Sequence, residues 1–308
     1  MDCKLVHCNN QQRPIIRGSL ARSVYERMLR EEQLRNFDTS KWYKIDNNQV
    51  NDSISSKFIE LNYDSETDTF IKTCYQKSDW LFTHIFNALA QTVLGLFMTS
   101  TSINGLLKRG SMFVFSNSQF NLFYDEIGTI KSDSDSSLLD IGSGDGRVTS
   151  VMSKYFNKTY CTEVSPVMKR LLVKRDYEIL DADKWYENDL SFNLISCLNV
   201  LDRCDRPLTM IKKMRQKIKP NGRILLALVL PLNQYVESSA NGHKPSESIT
   251  LTGNSLEQHA QSFIQDYIEP NDLELIAWTK VPYLCEGDLE LSYYWLNDVL
   301  FLLKPKSS

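Results

Sequence analysis

The chain has 308 residues, 42% hydrophobic and 24% charged, with a formal net charge of −3. A chain of this length buries about 75% of the surface its unfolded form exposes, so the composition is that of a soluble globular protein with a large core. The mild acidic balance argues against a nucleic-acid enzyme, which carries a basic excess, and no nucleic-acid partner is expected.

Residues 1–20 read as a polar tail without the apolar segment of a signal peptide. Cys3, His7 and Cys8 lie in that tail with no second ligand pair, so no metal site is expected. Residues 21–36 read as a charged amphipathic helix with Val24, Met28, Leu29 and Leu34 on one side, and 44–56 as a loop rich in Asn, Asp and Ser. Residues 69–98 read as helical. The most hydrophobic window, Trp80 to Met98, is interrupted by His84, Asn87 and Gln91 and falls short of the ~20 apolar residues a membrane crossing needs. Its apolar positions keep helical spacing, so it reads as a core-facing helix with His84 as a structural residue. Gly105 to Ser116 reads as a glycine-flanked loop and a short apolar run, and 131–137 as a solvated linker. The cysteines are odd in number and form no C-x-x-C, which implies reduced thiols in a cytosol-like compartment.

From Leu138 the pattern alternates. Strands are expected at 138–141, 158–163, 177–181, 192–198 and 223–230, with helices at 147–155, 166–175 and 208–217 and a turn at Pro220-Asn221-Gly222. A helix at 256–267 and two strands at 273–278 and 299–303, separated by a long loop, complete the chain. Repeated β-α units predict an α/β fold, a Rossmann-like sheet of seven strands, mostly parallel with an antiparallel last strand. The organisation expected is a flexible tail (1–20), a helical N-terminal extension packing on or capping the active site (21–130), and the main domain (131–308).

The sequence SLLDIGSGDGR over 137–147 runs a buried strand into a loop with glycines at 142, 144 and 146. Such a loop lets backbone approach a nucleotide-like ligand closely. The dinucleotide pattern G-x-G-x-x-G fails because Arg147 occupies its last position. D-x-G-x-G-x-G resembles instead the first motif of the class I methyltransferases. That resemblance implies S-adenosylmethionine as cofactor, held by Asp140, Gly142, Gly144, Asp145 and Gly146. Glu163 follows the next strand, where a carboxylate can accept both ribose hydroxyls. Asp181 and Asp183 follow the third strand, as adenine contacts or as turn residues. Arg109 and Ser111 are placed to close over the methionine end of the cofactor.

The strand at 192–198 ends in CLNVLDRCDRP (197–207), which lacks the N/D-P-P-Y/F of amino-methyltransferases of DNA and glutamine and offers Asn199, Asp202, Arg203 and Asp205 instead. This segment, together with LALVLPLNQYVE, KPSE, VPYLCEGD, SINGLLKRGSMFVFS and CYQKSDWLFTHIFNALA, resembles the methyltransferase-like protein nine, or DORA reverse-strand, family over about residues 40–305. The resemblance implies a protein-histidine methyltransferase forming pros-methylhistidine in His-x-His sequences with a small x. It implies protein or peptide substrates with alternating histidines. It also brings the endoplasmic reticulum or mitochondrion as alternatives to the cytoplasmic reading. The family's apolar leader is not seen at this N-terminus. A monomer is expected.

Imidazole, with a pKa near 6.5, is largely neutral at pH 7, so the enzyme must select a nitrogen rather than create a nucleophile. A carboxylate that accepts the far N–H fixes the tautomer and stabilises the cation that forms. Asp202 is the candidate for that role. Asn199 is expected to bond substrate or the cofactor's amino group, and Tyr283 and Tyr235 to wall the substrate pocket. Glu286, with Glu237 and Asp288, is placed to attract a histidine-rich peptide. None of His7, His84, His243 and His259 lies in a His-x-His pair, so self-methylation at that motif is not expected. A methyltransferase for a small molecule or RNA, or a non-catalytic cofactor-binding interaction protein, are the alternatives.

Overall fold

A computed structural model describes residues 18–78, 110–126, 135–237, 242–288 and 290–306. Residues 1–17 of the segment read as the tail, most of the helix to residue 98, Arg109 and the start of the linker lie outside them. The chain divides into two compact units, 1–37 and 38–308. In the first, α1 spans Ser19–Arg35 and ends where the Asn36 N–H reaches the Glu32 and Leu34 carbonyls. Val24 and Met28 are exposed on it.

The second unit is built on one eight-stranded sheet. Its strands are β1 (Met112–Phe113), β2 (Ser137–Ile141), β3 (Lys158–Thr162), β4 (Glu178–Leu180), β5 (Phe192–Leu198), β6 (Ile218–Val229), β7 (Leu273–Glu286) and β8 (Tyr293–Pro305). The spatial order is β1-β7-β8-β6-β5-β2-β3-β4. β4, β3, β2, β5 and β6 run parallel, whereas β8, β7 and β1 pair antiparallel. The helices are α2 (Asp52–Ser55), α3 (Ser65–Ser78), α4 (Asn117–Glu126), α5 (Thr149–Met152), α6 (Pro166–Val173), α7 (Pro207–Lys217) and α8 (Leu256–Phe263).

The strands that read as continuous apolar runs are the central ones, because helices cover both faces of a parallel sheet. Every residue of β2 is buried, and Leu139, Ile195, Leu226 and Phe301 are wholly inaccessible. From β2 the chain moves outward to β3 and β4, then crosses to place β5 on the other side of β2. The switch point therefore lies between β2 and β5, and open α/β sheets bind ligands outside the carboxyl ends of the strands there.

Several elements differ from the sequence reading. The polar stretch after residue 44 is not a plain loop but two capped turns. Asp46 accepts from the Asn48 N–H, and Asn51 accepts from the Ile54 N–H at the start of α2. Short Asn and Asp side chains that compete for backbone N–H groups are what such turns require. The expected turn at 220–222 lies inside β6 as a bulge: Phe192 pairs with Ile218, but Leu194 already pairs with Arg223.

The largest difference is at the C-terminus. In place of two short strands and a long loop, β7 and β8 form one hairpin paired from Leu273↔Pro305 to Glu286↔Tyr293. β6 stops pairing with β8 at Val229↔Asp298, so the hairpin overshoots the sheet on the switch-point side. β1, from the N-terminal segment, adds to the overshoot through Met112↔Cys285 and Phe113↔Leu284. The sheet thus has eight strands rather than seven.

Candidate active site

The loop after β2 takes left-handed backbone at Gly142, Gly144 and Gly146, with φ of 73°, 55° and 76°. Side chains rarely adopt this region, and two of the glycines are also crowded. A Cβ on Gly142 would lie 2.5 Å from Val200 Cγ2, and one on Gly146 2.8 Å from Leu172 Cδ2. At Gly144 a Cβ would meet only Met112 Cε, at 3.9 Å, so this glycine faces open space.

Two acids hold the loop. Asp140 is buried, and its oxygens accept from the hydroxyls of Thr149 at 2.5 Å and Ser196 at 2.6 Å. Burial pushes its carboxyl above the ordinary range against those hydrogen bonds. Glu163, also buried, accepts from the Gly144 N–H at 3.0 Å and from the Val164 and Ser165 N–H groups, both at 2.8 Å. Asp145 ion-pairs with Arg147 at 3.0 Å, and the same guanidinium donates to the Ser111 hydroxyl beside β1.

Facing the loop across the switch point are the end of β5 and the hairpin. Met112, Val114, Asp140, Gly142, Ser143, Gly144, Asp145, Val148, Leu198, Asn199 and Tyr283 line a cleft. The Tyr283 hydroxyl donates to Met112 Sδ, which closes one wall. Burial, with Cys285, Asp298 and Asp202 nearby, raises the Tyr283 phenol well above its ordinary value, so it acts as a neutral donor.

Asn199 has φ 57°, and its Nδ2 donates to Asp298 Oδ2 at 2.7 Å. Asp202 is 4% exposed; its Oδ2 pairs with Arg203 Nε at 3.1 Å. Burial raises the Asp202 carboxyl, against the opposing charge of Arg203. Burial pushes Asp298 up to about 7, and Asp202 adds to the shift. Asn199 Oδ1, Asp202 Oδ1 and Asp298 Oδ1 are all buried without a hydrogen-bond partner. Unpaired buried acceptors cost free energy, and of these three residues Asn199 lines the cleft itself.

This arrangement matches a known group over most of its length. A family model, DREV methyltransferase, covers residues 42–305. The chain belongs to this family. Solved structures to which the chain is similar include a putative RNA methyltransferase from Pyrococcus horikoshii, at 11% identity and TM-score 0.43 over 62% of this chain and 83% of that one. A S-adenosylmethionine-dependent methyltransferase from Clostridium acetobutylicum matches at 13% identity and TM-score 0.41 over 76% of this chain and 100% of that one. The ribosomal protein L11 methylase of Lactobacillus delbrueckii subsp. bulgaricus matches at 15% identity and TM-score 0.37 over 63% and 82%.

By its family the protein is a methyltransferase whose cofactor is S-adenosylmethionine, and its sheet is the Rossmann-like arrangement of that group. The residues present fit that group. Gly144 leaves backbone bare to the cleft, and Asn199 Oδ1 offers a buried acceptor without a donor, which suits an ammonium.

The remaining expected site residues have these neighbours. Asp181 accepts from the Asp183 and Lys184 N–H groups as a turn residue, and Asp183 is exposed. Glu286 is outside the cleft lining, with its carboxylate 2.8 Å from Lys77 on α3. Asp288 caps the hairpin turn, accepting from the Glu290 N–H and the Tyr294 hydroxyl, both at 2.8 Å. Asp205 accepts from Ser246, and Glu247 accepts from Thr209, so KPSE straps down the loop after β5. Tyr235 is 43% exposed and stacks on His243 at 4.5 Å, while its N–H donates to the Asp202 carbonyl at 2.9 Å. Arg109 lies outside the described residues.

The sequence reading missed Asp298 and Met112. Asp298 had a signal: a lone acid opening the apolar run VLFLL. Among the described residues no group of His, Cys, Asp and Glu could hold a metal, and no helix is long and apolar enough to cross a membrane.

Proposed function

We propose that this methyltransferase acts on protein histidine and forms the pros-methyl product in His-x-His sequences with a small x. The observation that carries the reading is the pair of buried acids beside the cleft, Asp202 and Asp298, each with one oxygen lacking a partner. Such a site favours a group that brings N–H donors and gains positive charge during reaction. A neutral imidazole does both.

When bound, S-adenosylmethionine supplies an electrophilic methyl group on a sulfonium. The chain's own residues present the acceptor. Asp202 takes the N–H of the far ring nitrogen, which leaves the lone pair of the near nitrogen free and stabilises the cation that forms. Asn199 and the Tyr283 hydroxyl orient the groups in the cleft, and the Tyr283 and Tyr235 rings provide faces for imidazole or cationic groups. Positioning supplies much of the remaining rate, because the transfer is a simple in-line displacement. A monomer in a cytosol-like compartment, acting on proteins or peptides with alternating histidines, completes the proposal.

The test is transfer of label from cofactor to a peptide carrying His-Ala-His, against peptides in which either histidine is alanine. Label on the first alone, at the pros nitrogen by NMR of the product, is expected. No label when calorimetry shows that cofactor binds would overturn the substrate assignment.

A further inference from the structure

Asp298 lies at the start of the part of β8 that pairs with β6, with no exposed surface. Its partner Asn199 is fixed on the backbone side, because the Asn199 N–H donates to the Ala227 carbonyl at 3.1 Å and its φ is 57°. A non-glycine residue holds that conformation only where its surroundings impose it. With Nδ2 committed to Asp298, the remaining amide atom, Oδ1, is buried, unpartnered and on a residue that lines the cleft.

We infer that Asp298 is a positioning residue for the cofactor: by accepting the Asn199 amide it turns Asn199 Oδ1 into the cleft as an acceptor for the cofactor's ammonium end, and its protonation reverses that presentation. An ionised carboxylate can only accept, so the amide must offer it Nδ2. A protonated carboxyl can donate to Asn199 Oδ1 as well as accept from Nδ2, so it no longer fixes which amide atom faces it. The amide is then free to turn over and place its Nδ2 donor toward the cation. The change needs one side-chain rotation and no backbone movement.

Both forms of Asp298 are populated near neutrality, since burial lifts its carboxyl to about 7. The groups acting on it are few. Asp202, from the loop after β5, raises it, and Arg203 from that loop is paired with Asp202 at 3.1 Å. From β7, Tyr283 and Cys285 are neutral, with Cys285 pushed up to about 11. Its strand partners, Val229 on β6 and Val281 on β7, carry no charge.

The test is calorimetric binding of S-adenosylhomocysteine, which keeps the ammonium without the sulfonium, corrected for titration of the ligand's own amine. It needs no peptide, so it stands apart from the histidine proposal. Affinity of the native protein is expected to fall about tenfold from pH 8 to pH 6. Asp298→Asn and Asn199→Ala each bind more weakly at pH 8 and change less than about twofold over that range, whereas Asp202→Asn keeps a pH dependence with its midpoint moved to lower pH. A flat native profile, or a slope that survives in Asp298→Asn and vanishes in Asp202→Asn, would overturn the assignment. Should Asp298→Asn fail to fold, the 13C shift of the Asp298 carboxyl in native protein decides: it must titrate near neutrality and move on ligand binding, and a carboxyl that does neither rules the idea out.

Discussion

Glu163 holds Gly144: the acid at the end of β3 receives the N–H of the central glycine at the end of β2, at 3.0 Å. The loop that lines the cleft is thus tensioned from the neighbouring strand. Glu163→Gln replaces two acceptor oxygens with one and turns an amide donor toward backbone N–H groups. The expected cost is about 1–3 kcal/mol in thermal or denaturant unfolding. Cofactor affinity should fall by at least tenfold. A loss of stability with unchanged affinity would confine Glu163 to a structural role.

The glycines separate two kinds of damage. Gly142→Ala meets both the left-handed backbone and Val200 at 2.5 Å, so unfolding temperature should drop sharply. Gly144→Ala pays the conformational strain alone, about 1–2 kcal/mol. Its methyl projects toward the cleft, so it should lose cofactor binding while remaining folded. Calorimetry paired with thermal melts distinguishes the two.

Asp202→Ala should keep cofactor affinity within a few-fold and lower turnover on a histidine peptide by about 100-fold or more, the range for a positioned acid–base group. Unchanged turnover would mean that Asp298 or another group carries the role.

Glu247 caps a helix it does not belong to. Its carboxylate accepts from the Thr209 N–H at 2.8 Å and hydroxyl at 2.5 Å in the first turn of α7, where Arg206 supplies no side-chain cap. Glu247→Ala should cost about 0.5–2 kcal/mol, as for loss of an N-cap. Burial opposes ionisation, but the Thr209 hydrogen bonds prevail and hold the carboxyl below its usual value. The stabilisation is therefore full above the ordinary glutamate pKa and is lost as pH falls through the lower folded-state value. The difference in unfolding temperature between native protein and Glu247→Gln should shrink in acid.

Asp298 should show the opposite sign. Its folded-state pKa is raised, so the folded protein keeps a proton that the unfolded chain has released between the ordinary aspartate value and about 7. Native stability falls with rising pH across that window. Asp298→Asn removes the dependence, so its stability relative to native should rise from pH 4 to pH 7. A difference independent of pH would contradict the assigned protonation.

The half of the fold that speaks through local pattern was readable. β5 falls on Phe192–Leu198 as expected, and the glycine loop sits where its spacing places it, because a doubly covered parallel strand must be a continuous apolar run. The overshooting hairpin was not readable. Lys280 and Pro282 interrupt β7, and proline lacks the N–H that a ladder uses, so the segment reads as a strand end. It stays extended because β8 pairs with it along its whole length, a contact between distant residues that no local period reveals. The same blindness hid Asp298. Its hydrogen-bond partner is Asn199, 99 positions away in the chain, whereas Asn199 and Asp202 were read together because they share one loop.

The hairpin also sets a counting constraint. Side chains alternate faces along a strand, so a slip of one residue exchanges the two faces. The turn that fixes this count is tight: Gly287 N–H meets the Ser292 carbonyl at 3.0 Å, and a Cβ on Gly287 would lie 1.9 Å from the Leu291 carbonyl oxygen. Adding or deleting one residue there would bring Asn297 or Val299 to the position opposite Asn199 without touching the glycine loop. The turn works as a ratchet tooth. It keeps the residue that faces Asn199 mechanically separate from the shape of the glycine loop, so lineages or engineers can advance one while the other stays still.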